Sequence, residues 1–381
     1  MKKRLILWLC LAIPMLSSCI KDEPLSREAD IIEIIVDDPT FIDRSISEDN
    51  RIELIMADTA DLTKITPILT LTPYATVIPA SGTTFDLSNQ KEVEYTVTSQ
   101  NGAFQKKYTL KIGEMRKVYD FEEWTMAGTG KYPFPILTDP TWSNANSGIV
   151  TALVIGALKD FERYPTKDTT LCVSGEYAAS LQTIKGGKII GKSYPIFAGN
   201  LFRGDFSANM TNPLKSLKLG RNHPQEAGKP IAFKGFYKYT PGPVMTGADG
   251  EVIPDRTDEM SMYAAIFRVT KGALPSEEFL DGETILTSKQ VVARAEWSPE
   301  AEGMIEKEAI NGFTEFSIPF LYTDTIDYKR YDYRLTIVCS SSKDGNLYQG
   351  AVGSNLLVDD LAIACEPYIK TEEETTEQNS L

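Results

Sequence analysis

The sequence predicts an all-β protein built as two consecutive β-sandwiches, a small one over residues 30–114 and a larger one over residues 118–368. Three observations predict this. Short runs of alternating apolar and polar residues recur along most of the chain, the two-residue period of half-buried strands. Helical periodicity is scarce. Gly, Pro, Asn and Asp punctuate nearly every gap between runs, as strands joined by turns in two packed layers require.

The first element is an address rather than part of the fold. The chain begins MKKRLILWLCLAIPMLSSC, with Lys2, Lys3 and Arg4 ahead of a short apolar core from Leu5 to Leu16 and the small pair Ser17-Ser18. This is the layout of a secretion signal, too short for a comfortable membrane span. Leu16-Ser17-Ser18-Cys19 resembles a bacterial lipobox, which implies residues 1–18 as signal peptide and Cys19 as the lipidated first residue. The small pair lets a peptidase close on the bond, and the thiol carries the diacylglycerol. Residues 19–29 read as a linker. Within it Lys21-Asp22-Glu23 resembles the export signal of Bacteroidetes surface lipoproteins, which implies a chain anchored in the outer membrane and facing outward, within reach of outer-membrane protein partners.

Composition narrows the function. A net charge of −14 argues against nucleic acid as a partner, since little basic surface is left for phosphates. No later apolar run is long enough to cross a bilayer. Of five cysteines, Cys10 leaves with the signal and Cys19 is the lipid site. Cys172, Cys339 and Cys365 remain, an odd number without CxxC spacing, and read as buried strand thiols, with one disulfide as the alternative.

In the small domain the strands are "IIEIIV", "RIELIMA", "PILTLTP" and the pair in "VEYTVTSQNGAFQKKYTLKI". There Val93, Tyr95 and Val97 share one face and Tyr108, Leu110 and Ile112 another. Asn101-Gly102 between them offers the positive φ of a tight hairpin. The run from "LTPYATVIPASG" into this hairpin resembles the immunoglobulin-like N-terminal modules of Bacteroidetes surface lipoproteins. After the joint "GEMRKV", the strand candidates are "GIVTALVIGAL", "TLCVSG", "PIAFKGFYKY", "SMYAAIFRV", "KQVVARAEW", "FTEFSIPF", "YRLTIVCSSS" and "NLLVDDLAI". "KYTPGPVMTGADGEVIPDRTDEM" is the expected long rim loop, and residues 369–381 are an acidic tail without the apolar content to fold.

The larger domain opens with Asp120-Phe121-Glu122, passes through Gly175 to Ser180-Leu181, and closes with Val358-Asp359-Asp360-Leu361. That order resembles the putative carbohydrate metabolism domain of Bacteroidetes lipoproteins, which looks like jelly-roll carbohydrate-binding modules. The resemblance implies an immunoglobulin-like sandwich followed by a larger jelly-roll sandwich, and acids on adjacent first and last strands that hold a structural calcium: Glu122, Asp359, Asp360 and Asp120. Calcium takes six to eight oxygens, which carboxylates and carbonyls at two strand ends supply.

Sugar recognition needs flat rings against the apolar C–H face and polar groups at the hydroxyl rim. "DPTWSNANSG" sets Trp142 beside Asn144 and Asn146, and "YKYTPG" sets Tyr237 and Tyr239 on one strand face, about 7 Å apart. Trp124 and Trp297 read as packing. Signals for catalysis are thin. The single histidine, His223, sits in "GRNHPQEAG" without partners and reads as a surface residue; there is no GxSxG, no HExxH, and "GTGK" lacks the rest of a phosphate loop. The sequence expectation is a non-catalytic surface lipoprotein that binds glycan. The alternatives are a structural or adhesive surface module, in a pilus or assembly, and a glycoside hydrolase, which needs only two suitably spaced carboxylates.

Overall fold

The computed structural model describes residues 25–366 apart from 39, 47–49, 57–59, 114–117, 129, 160, 190, 210–211, 302–303 and 306–309. The signal segment, Cys19, most of the linker and the acidic tail lie outside the described residues.

The small domain is a β-sandwich. One layer is a five-stranded sheet in the order Phe41–Ile46, Arg51–Met56, Gln105–Gly113, Val93–Thr98, Thr76–Ile78, and the other pairs Ile31–Val36 with Pro67–Leu71. Arg51–Met56 and Gln105–Gly113 run parallel; such a pair needs a long crossover rather than a turn, and the Pro67–Leu71 strand lies within that connection. Register sets Val93 against Leu110 and Tyr95 against Tyr108. The two alternating sets therefore lie on one buried face of the sheet, with Ile34, Ile52 and Leu54 packed on them. The hairpin is wider than a two-residue turn: Ser99 N donates to Phe104 O, and Gly102 carries the positive φ of +68°.

The larger domain is a sandwich of two antiparallel sheets, of the jelly-roll class. The back sheet runs Thr166–Thr169, Ala178–Gln182, Asn355–Glu366, Lys229–Thr240, Thr314–Pro319, Met304–Ile305, with Val118–Tyr119 added on Asn355–Glu366. The front sheet runs Trp142–Ser143, Asn200–Phe206, Tyr331–Ser340, Ser261–Thr270, Val291–Glu296, Leu321–Tyr322. Alternate residues such as Leu181, Phe233, Ile266, Leu335, Leu356 and Val358 fill the space between them. The opposite face of the front sheet is covered as well, by the chain around Leu280 and Ile285 packing on Phe267 and Phe202.

Two expected strands are not strands. "GIVTALVIGAL" lies mostly in the Asn146–Val154 helix, whose Ile149, Ala152 and Leu153 are buried; the spacing of three and four places them on one helical face. "TLCVSG" is a loop, for a reason given below. Of the three described cysteines, Cys339 is buried on its strand, whereas Cys172 and Cys365 are half-buried and Cys172 stands on the loop.

The buried arginine Arg221 organises the junction. Its side chain is 2 % exposed and forms a two-pronged pair with Asp205, Nη2 to Oδ1 at 2.7 Å and Nη1 to Oδ2 at 3.1 Å. It also donates to the carbonyls of Gly204, Pro140 and Thr141, and across the domain boundary to Arg44 O at 3.4 Å. Arg51 of the small domain donates to Thr138 O and Leu137 O, and Arg44 bridges Glu33 and Glu278. Replacing Arg221 with methionine leaves Asp205 and four carbonyls without their donor. Urea denaturation of Arg221→Met is expected to show a loss of about 3 kcal/mol; a loss within error would mean the contacts carry no net stability.

Candidate functional site

The three chain segments that carry the family-like motifs do meet in space. Glu122, Asp359 and Asp360 close around the 172–177 loop. Asp359 is fully buried; its Oδ2 accepts from the N–H of Val173 at 2.7 Å and of Ser174 at 3.4 Å, and its Oδ1 from Asp360 N. Asp360 Oδ2 accepts from Ser174 Oγ at 2.9 Å. Glu122 Oε2 accepts from Glu176 N at 2.9 Å, and both of its oxygens lie 3.3 Å from Tyr177 N. These bonds explain why "TLCVSG" is not a strand: its amides are spent on carboxylates instead of a neighbouring ladder.

The acids expected to hold calcium, Glu122, Asp359 and Asp360, are thus engaged with protein donors. Asp120 lines a shallow depression nearby, lined also by Glu122, Glu123 and Asp139. Among the described residues no three or more His, Cys, Asp or Glu side chains converge on a point that would hold a metal ion. Burial pushes the Asp359 carboxyl up to about 6, against the lowering effect of the amide bonds it accepts. The latch is built on unusual backbone: Phe121 at φ +54°, Gly175 at +62° and Asp360 at +46°. A Cβ on Gly175 would lie 2.0 Å from Glu122 Oε1, so only glycine lets the carboxylate reach the loop.

The residues of the expected sugar platform lie in the core or half-buried against it. Trp142 is 4 % exposed and packs edge-on against Tyr119 and Phe121, centroids 5.1 and 5.3 Å away. Asn144 and Asn146 are buried brackets: Asn144 Nδ2 donates to Pro135 O, and Asn146 Nδ2 donates to Pro135 O and Thr166 O. They bind three chain segments together, so their polar groups are consumed. Tyr237 and Tyr239 are half-buried against the inter-sheet core; Tyr237 contacts Trp297 and Phe316, and Tyr239 donates its hydroxyl to Ser341 O. Phe236, on the opposite face, is covered by Phe313, Ala178 and Leu357. Trp124 and Trp297 pack on the core as expected.

His223 is buried, not on the surface, with Nε2 2.8 Å from Gly228 O. Burial pushes its imidazole down to about 4, so it is neutral at pH 7 and unsuited to proton transfer there.

Rings do reach the surface at the end of the sandwich where the Ile184–Ile189 and Lys192–Phe197 hairpin meets the 343–349 turn. Tyr194 and Tyr348 are 4.5 Å apart at 68°, and Phe197 lies 6.1 Å from Tyr194 and 6.4 Å from Tyr348. Tyr348 and Phe197 are half-buried, and Lys192 Nζ stands 5.2 Å from the Tyr194 ring and 6.0 Å from the Tyr348 ring. Tyr348 has a left-handed backbone, φ +59°, fixed by Tyr348 N donating to Gly345 O. A bulky residue held there is costly and concentrates at binding sites. Sequence reasoning missed this ring because a turn has no periodicity; its one signal was an aromatic inside the Asp-Gly-Asn turn of "SSKDGNLYQG".

Two antiparallel layers capped by a ring-bearing rim define a β-sandwich of the kind found in carbohydrate-related domains. Residues 120–364 match the family described as "Putative carbohydrate metabolism domain", and the chain belongs to that family. Residues 33–112 match the family "SGBP, N-terminal", typical of Bacteroidetes surface glycan-binding proteins. Among solved structures, the chain is similar to one from Bacteroides thetaiotaomicron described as a "putative glycoside hydrolase", at 30% identity and TM-score 0.71, covering 91% of this chain and 99% of that one. It is also similar to one from Bacteroides vulgatus with the same description, at 29% identity and TM-score 0.52, covering 66% of this chain and 98% of that one. No curated protein matches the chain. Among the described residues no helix is long and apolar enough to cross a membrane.

Gly175→Ala must expel the Glu122 carboxylate and adopt positive φ. Its thermal unfolding is expected to show a loss of about 2 kcal/mol, and an unchanged midpoint would remove the latch as a stabilising element. His223 has a folded pKa below its unfolded value near 6.5. Its contribution is therefore complete above about pH 6.5 and lost as pH falls toward about 4. His223→Gln is expected to flatten that part of the stability profile.

Proposed function

We propose that the protein is a non-catalytic glycan-binding protein of the bacterial cell surface, tethered through acyl chains on Cys19, and that glycan binds at the Tyr194–Phe197–Tyr348 rim. The observation that carries this reading is the tandem match, an SGBP N-terminal module ahead of a carbohydrate metabolism domain in one chain. The rim supports it chemically. Flat, partly solvated rings accept the apolar face of a sugar with little loss of side-chain freedom, while the small domain is a spacer between anchor and ligand. The non-catalytic reading is supported by the carboxylates Glu122, Asp359 and Asp360, which are engaged with the loop they hold.

A second reading, a glycoside hydrolase, is favoured by the description of the two similar structures. It requires two carboxylates flanking a bound sugar.

The test is a panel of neutral and acidic polysaccharides assayed by calorimetry and by reducing-end release. Tyr348→Asn suits it, because asparagine tolerates the left-handed backbone and removes the ring. Retained folding with roughly tenfold weaker glycan binding is expected. Release of reducing ends would favour the hydrolase. Absence of glycan affinity together with self-association would favour a structural or adhesive module.

A further inference from the structure

The acidic balance of this chain reverses at the rim. The 184–197 hairpin carries Lys185, Lys188 and Lys192 and no Asp or Glu, in a sequence with 53 acidic and 39 basic residues. All three lysines are exposed, and none forms an ion pair among the described residues. Lys192 Nζ stands over the rings of Tyr194 and Tyr348 instead.

The chain that packs behind the hairpin adds a fourth cation. Phe161 and Tyr164 share a cluster with Ile189 and Phe197, and between them Arg163 is half-buried. Its Nε donates to Tyr164 O and its Nη2 to Ser180 Oγ, each at 3.2 Å. Ser180 Oγ is in turn 3.2 Å from Asn355 Oδ1. Arg163 has no carboxylate partner among the described residues, and burial alone pushes its guanidinium below the ordinary value. Charges taken partly out of water are normally paired. Arg221, Arg334 and Arg44 are all paired in this chain; Arg163 and Arg203 have no carboxylate partner among the described residues, and Arg203 stands over the Tyr119 ring instead.

We propose that the ligand is an anionic glycan, its carboxylate or sulfate held by Arg163 and the hairpin lysines while its sugar ring lies on Tyr348 and Phe197. This rests on the glycan-binding reading above and names the substrate class. The guanidinium fork matches a planar carboxylate or a sulfate edge, and the lysines supply point charges along a polymer. Nearby acids do not cancel Lys185 and Lys192. Asp344 is paired with Arg256. Asp249 and Glu251 flank Gly250, which approaches Pro195, on the hairpin face that Lys188 shares and that Lys185, Lys192 and Tyr194 do not. The chain's net negative charge acts weakly here, because exposed charges are screened beyond roughly 8–10 Å at physiological salt.

The test uses the mature chain and four polymers: a galacturonic-acid polymer, a sulfated galactan, and the neutral galactan, with dextran as a control for neutral polymers. The wild type is expected to bind the uronate, the sulfated polymer or both, and the two acidic arms separate carboxylate from sulfate recognition. Affinity is expected to fall roughly tenfold when salt is raised fourfold. Replacing Lys185, Lys188 and Lys192 with Gln touches only exposed side chains and is expected to weaken acidic binding roughly tenfold. Arg163→Lys keeps the charge without the fork and is expected to weaken it less than Arg163→Gln. Equal binding of galactan and sulfated galactan with no uronate preference, or unchanged acidic binding by the lysine variant, would overturn the inference and leave the glycan reading standing. Acidic binding that is indifferent to Tyr348→Asn would mark plain polyanion adsorption and overturn it as well. Binding of no polymer would overturn both.

Discussion

The Arg221 guanidinium carries the constraint on which the arrangement of the two domains depends. It is a permanent cation with almost no contact with water, and its Nε, Nη1 and Nη2 all donate to oxygens. Because an unpaired charge in that setting is so unfavourable, the Asn200–Phe206 strand, the 139–142 turn and the Phe41–Ile46 strand must all approach it together. Its strand, Arg221–Asn222, pairs with Tyr331–Ser340 in the front sheet. The small domain is therefore attached to the end of a sheet through polar groups with fixed geometry, joined by Arg51 on the 137–138 carbonyls and by the Arg44–Glu278 pair.

A similar logic governs the acidic latch. Three carboxylates gathered at strand ends would repel one another without positive partners. Here the partners are backbone N–H groups and the Ser174 hydroxyl of a loop that forms no ladder, so the loop and the acids satisfy each other. Left-handed backbone at Phe121, Gly175 and Asp360 aims the groups. Position and chemistry both separate this feature from the rim: the latch is closed and satisfied, whereas the rim keeps rings and cations in contact with solvent.

The aromatic residues show how burial decides role. Trp142, Tyr237 and Tyr239 belong to chemistry that suits sugars, but the sheets turn them toward the core. Tyr348 is less conspicuous in the sequence, and a single backbone angle holds it at the rim. The same distinction holds among cations. Arg163 looks like any other arginine until its surroundings show that, among the described residues, it is half-buried without a carboxylate partner.

The sequence by itself determined the all-β class, most of the long strands and the membership of two domains, because alternation of apolar residues is local and needs no partner to be recognised. Lys229–Thr240, Ser261–Thr270, Tyr331–Ser340 and Asn355–Glu366 were all legible this way. It also brought together the acids at 120–122 and 359–360 as motif pieces. Only the tertiary structure decided that "GIVTALVIGAL" is helical, that "TLCVSG" is a loop, that His223 and Trp142 are buried, and which rings and charges remain at the rim. These outcomes depend on what stands across the sheet, often more than a hundred residues away, as Val173 does from Asp359. Burial and hydrogen-bond pairing are properties of that three-dimensional neighbourhood, and no local pattern in the chain encodes them.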